Sequence, residues 1–72
     1  MKSSVTSIYA KKIALKMAVV ENETTLKQLA ADTNSHYQTI AQIATGNFAT
    51  SPLRAKAIAD VLNKNVEDIF ET

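Results

Sequence analysis

The chain has 72 residues and a mass of 7.8 kDa, room for one small domain. Its 46% hydrophobic content suffices for a core, which argues against disorder throughout. It has no Cys and a single His, which excludes disulfides and thiol chemistry and argues against a protein metal site. The formal net charge of +1 excludes an overtly basic, charge-driven nucleic-acid binder, though not nucleic-acid binding itself. The apolar run from Ile13 to Val20 is broken by Lys16 and followed by Glu21 and Glu23, so it reads as neither a signal peptide nor a membrane span. The expectation is a soluble, cytoplasmic protein.

In chain order, Ala, Lys, Leu and Met predict a first helix over residues 4–20, ended near Asn22. Projected at about 100° per residue, it carries two apolar stripes. Tyr9, Ile13, Met17 and Val20 form one; Ile8, Leu15 and Val19 form the other, with Lys11, Lys12 and Lys16 around and between them. A small core needs one stripe. The periodicity does not say which, so all seven apolar residues stand as candidates for a protein interface.

Thr24 or Thr25 caps a short second helix, with Leu26, Leu29 and Ala30 inward. Thr33-Asn34-Ser35 reads as a tight turn, because Asn tolerates the left-handed conformation that a reversal needs. A third helix starts at Ser35 or His36, turns Ile40 and Ile43 inward, and stops at Gly46. Asn47 to Thr50 is a loop. Ser51-Pro52 starts a fourth helix, over about 51–63, with Leu53, Ala57, Ile58, Val61 and Leu62 on one face. Asn65 and Asp68 form a capping pair for a last helix over 66–71, anchored by Val66, Ile69 and Phe70. No strand-like alternation stands out. The expected fold is all-α: a compact five-helix domain with no sheet.

Two short helices joined by a tight turn, over residues 25–46, suggest a helix-turn-helix, a DNA-binding motif. With Leu29-Ala30, Asn34, Ile40, Ile43 and Gly46 at this spacing, the sequence resembles the Cro/lambda-repressor type of helix-turn-helix regulators, also called XRE-like. The resemblance continues through Ser51-Pro52 and Ile58-Ala59-Asp60-Val61-Leu62 to Val66-Glu67-Asp68-Ile69-Phe70. It implies a lambda-repressor-like domain in a small regulator of a temperate phage or mobile element. The partner it implies is double-stranded operator DNA, bound as a homodimer or with a cognate repressor. No cofactor and no small-molecule ligand are evident. Three positions depart from the family pattern: Leu26 stands where Gln often clamps a phosphate, Ser35 where an apolar residue follows the turn, and Ala44 where an acidic residue is common.

By the same resemblance, base reading falls on Tyr37, Gln38 and Gln42, with His36 and Thr39 at the edge. Gln suits this chemistry, since its amide can make paired hydrogen bonds to an adenine edge. Thr25, Lys27, Thr45 and Asn47 are candidates for backbone contacts. The plainer alternative is a solvated helix face, and for His36 a solvated or capping residue. No nucleophile, base and orienting group can be assembled from these residues, and no Gly-rich phosphate loop occurs, so no enzyme is expected.

Charge complicates the DNA reading. No formally charged residue lies between Thr33 and Ser51. Residues 1–56 carry +4 and residues 57–72 carry −3, so the overall balance averages a cationic body and an acidic end. Two readings follow: a DNA-binding regulator that needs a second subunit, or an antirepressor-like module acting mainly by protein–protein contact through a first-helix stripe.

Overall fold

The computed structural model describes residues 7–71. Its elements are β1 (Tyr9–Ala10), α1 (Lys12–Glu21), α2 (Leu26–Asp32), α3 (Tyr37–Ala44), α4 (Pro52–Val61), α5 (Val66–Ile69) and β2 (Phe70–Glu71). The described residues form five helices, and three features depart from the expectation.

The first correction is the start of the first helix. Residues 4–6 of its expected span lie outside the described residues, and residues 7–11 are not helical. Lys11 is extended, with φ −80° and ψ 100°. The amides of this segment bond elsewhere: Ile8 exchanges backbone bonds with Thr50 at 2.9 and 2.8 Å, and Lys11 N donates to Ile69 O at 2.8 Å. Buried amides need partners, and two neighbouring backbone edges supply them here.

The second correction follows from the first. A small antiparallel sheet exists, pairing Tyr9 with Glu71 and Ala10 with Phe70. Phe70 therefore anchors the core from a strand, and the last helix ends at Ile69. Lys11 Nζ adds a 2.9 Å bond to the Glu67 carbonyl of α5.

The core lies between the helices and this strand pair. Leu15, Ala18 and Val19 enter it from α1, Leu29 and Ala30 from α2, and Ile40 and Ile43 from α3. Ile58, Leu62, Ile69 and Phe70 close it from the C-terminal side, all almost inaccessible to water. Each large side chain so buried stabilises the fold by about 1.5–3 kcal/mol. Leu53 is a further correction: it was expected on the inward face of α4 but is 82% exposed in the first turn, while Ala55 and Ala59 are buried.

The helix ends share one device. The residue after each C-cap of α1 to α4 is left-handed: Glu23 (φ 53°), Asn34 (φ 54°), Gly46 (φ 83°) and Asn63 (φ 58°). For α1, α2 and α4 the next amide bonds back into the last turn, Thr24 N to Val19 O, Ser35 N to Ala30 O and Lys64 N to Ala59 O, capping carbonyls that the helix leaves free. Asn22 locks α1 against the end of α4, its side-chain amide donating to Ala18 O and Leu62 O at 2.8 Å each.

Candidate nucleic-acid interface

The helix-turn-helix is set by local chemistry. The Thr25 hydroxyl accepts from Gln28 N at 3.1 Å and fixes the start of α2. At its end the Thr33 hydroxyl donates to Leu29 O at 2.8 Å, and Asn34 takes the left-handed step. Ser35, where the family pattern is apolar, lies 3.1 Å from the Thr33 hydroxyl and 3.3 Å from its carbonyl. Its polarity is thus satisfied inside the turn, and the reversal survives the departure.

His36 is the exposed N-cap residue of α3 and makes no side-chain capping bond. Ile40 and Ile43 pin α3 to the core, which turns the opposite face to water. Tyr37, Gln38 and Gln42 are exposed, and Thr39 is half-buried at the edge. Gln38, Gln42 and Thr45 stand at i, i+4 and i+7, so they share one line along the helix. The Thr45 hydroxyl donates to Gln42 O at 2.6 Å and accepts from Asn47 N at 3.2 Å, holding the following loop to the same end. The structure thus gathers His36, Tyr37, Gln38, Thr39 and Gln42 on α3, with Thr45 and Asn47 at its exit. Thr25 and exposed Lys27 stand at the start of α2. The Thr25 hydroxyl is already engaged in its cap.

The first helix resolves its own ambiguity. Ile13, Met17 and Val20 are 72%, 56% and 68% exposed, and Tyr9 is about half exposed on β1. Ile8, Leu15 and Val19 are buried, so these three candidate interface residues are core residues instead. They leave the candidate interface with Tyr9, Ile13, Met17 and Val20. A shallow groove of about 340 Å³ follows this outward stripe, lined by Ile13, Lys16, Met17, Val20 and Glu21.

A second groove, also about 340 Å³, runs between α1 and α3. Leu26, Ala41 and Ala44 line it together with Lys12, Lys16 and Thr45. Two of the family departures, Leu26 and Ala44, therefore meet in one apolar groove beside α3. The place of Lys12 and Lys16 is not legible in the sequence, because it depends on which stripe of α1 faces inward.

Two other cations are paired with carboxylates. Lys56 pairs with Asp60 at 3.5 Å within α4, and Lys64 pairs with Glu21 at 2.9 Å. The hydrogen bond and charge of Glu21 raise the Lys64 ammonium above its ordinary range. Among the described residues no cluster of three His, Asp or Glu could hold a metal ion, and no helix is long and apolar enough to cross a membrane.

Comparison with known proteins agrees with this geometry. The curated proteins and the solved structures gave no match. A family model described as helix-turn-helix matches residues 15–69, a span from the buried Leu15 of α1 to the end of α5 that includes the whole motif. The chain therefore belongs to the XRE-type helix-turn-helix family of DNA-binding regulators.

Proposed function

We propose that this protein regulates transcription by reading a two-fold operator as a dimer, in the genetic switch of a phage or mobile element. Residues 25–46 act as one docking unit in the cytoplasm of the host cell. The second helix lies over the DNA backbone, and the third enters the major groove. Gln38 and Gln42 read base edges, with Tyr37, His36 and Thr39 at the rim of the contact. Thr25, Lys27, Thr45 and Asn47 position the helix through phosphates.

The observation that carries this reading is the alignment of Gln38, Gln42 and Thr45 on the exposed side of a helix pinned by Ile40 and Ile43. Hydrogen-bonding side chains without charge specify bases but attract phosphates weakly. One domain then has modest affinity, and two half-sites about one helical turn apart supply the rest. Selection from random DNA, followed by fluorescence anisotropy, tests the reading. It predicts enrichment of a site with two-fold symmetry. Equal binding of all sequences at every protein concentration contradicts it.

One observation supports a second reading, in which the protein acts mainly on a cognate repressor. Ile13, Met17 and Val20 present an outward apolar stripe on the opposite side of α1 from its core residues, and Tyr9 is half exposed on β1. Such a stripe suits a helix-in-groove contact. Co-elution with a repressor encoded beside it, lost on Ile13→Glu, would favour this version. Unchanged elution would remove it.

A further inference from the structure

We propose that Lys12 and Lys16 of α1 are phosphate-binding cations of the reading surface in addition to Lys27, completing from a different helix the charge that α3 lacks. The inference rests on the DNA reading above and deepens it.

Three observations converge. First, no charged residue occurs from Thr33 to Ser51, so α3 and its flanking loops bring no cation of their own. Second, α1 delivers two lysines to the end of α3. Lys12 and Lys16 line the same groove as Ala41, Ala44 and Thr45. A Cβ placed on Gly46, the residue that ends α3, would lie 3.6 Å from Lys12 Cβ. Third, both lysines are exposed and form no ion pair among the described residues; Lys56 and Lys64 face carboxylates, Lys11 donates to the Glu67 carbonyl, and Lys27 and Arg54, also without an ion pair, do not line this groove.

The physical need is local. A backbone strand that touches Thr45 and Asn47 meets the C-terminal end of α3, where the helix dipole is negative and repels a phosphate. Lysines beside that end reverse the local sign. Their flexible stems can cover the apolar floor formed by Leu26, Ala41 and Ala44 while the ammonium groups reach the DNA. This arrangement replaces a side-chain clamp at residue 26, where Leu26 offers no donor.

The test is the salt dependence of binding to a labelled mixed-sequence duplex, measured for the wild type and for Lys12→Gln/Lys16→Gln. Losing two phosphate contacts lowers the slope of log K against log salt by about 1.8, and affinity by about 30-fold at 0.15 M salt. The deficit narrows as salt rises. Lys12→Arg/Lys16→Arg keeps the wild-type slope, and Lys56→Gln, whose partner is Asp60, leaves it unchanged. Circular dichroism confirms that each variant folds. A wild-type slope in the double glutamine variant, or a deficit equal at all salt concentrations, overturns the proposal while leaving the operator reading intact. No DNA binding by the wild type overturns both.

Discussion

The two helices α1 and α3 bury their inner faces in the same way and differ on the outside. Leu15, Ala18 and Val19 fix α1, while Ile40 and Ile43 fix α3. Opposite them, α3 presents Tyr37, Gln38 and Gln42, whereas α1 presents Ile13, Met17 and Val20 beside lysines. The α3 surface can specify a base edge and has little long-range attraction for DNA. The α1 surface has cations near α3 and apolar side chains farther around. On the reading proposed above, recognition chemistry and attraction are divided between two helices, and neither suffices alone.

The sharpest way to break the comparison is to truncate both faces of α1. Leu15→Ala should destabilise the fold by about 2–5 kcal/mol, the range for a large core side chain. Ile13→Ala, on the outward stripe, should change stability by no more than about 0.5 kcal/mol. Urea unfolding measures both, and equal losses would mean that the exposed stripe is covered.

A smaller effect is expected where α3 ends. Gly46→Ala forces a side chain into the left-handed region and brings its Cβ to 3.3 Å from Ala10 O. A loss of about 1–2 kcal/mol should follow, visible as a lower urea midpoint. The opposite sign is expected at the end of α1, where Glu23 already bears that strain. Glu23→Gly should raise stability by up to about 1 kcal/mol, less the entropy that Gly loses on folding.

The smallest effect concerns the pair that ties Lys64 to Glu21. Its folded pKa is raised, so its contribution is complete below the ordinary lysine range and is lost as pH rises through the raised value. Thermal melts of the wild type and Lys64→Met should therefore differ at neutral pH and converge in strong alkali. A constant difference would mean that packing of the lysine stem, rather than its charge, carries the contribution.

These comparisons also explain what the sequence could and could not reveal. The helix-turn-helix was legible because its determinants are local: the Thr25 cap, the left-handed Asn34, the stop at Gly46 and the Ser51-Pro52 start. The strand pair was not. Tyr9 and Phe70 lie some sixty residues apart, and two-residue strands leave no alternation long enough to read. Helix-favouring residues around Lys11 then outweighed an extended segment that only tertiary partners stabilise. Likewise, either stripe of α1 could serve a core; the choice of Leu15 and Val19 over Ile13 and Met17 is made by the other helices and by β2. Helical periodicity alone overstates the burial of Leu53, because the first turn of α4 extends beyond the core. For the candidate site, α3 residues could be named from the motif, but Lys12 and Lys16 became visible only once the orientation of α1 was known.

The central claim is that the outward face of α3 reads bases. It is tested most directly by measuring Gln38→Ala against the selected operator and against variants altered at single base pairs. The account predicts that discrimination at one base pair in each half-site falls by about 1–3 kcal/mol, while preference at the other positions is retained. Undiminished discrimination at every position in Gln38→Ala, and again in Gln42→Ala, would contradict it.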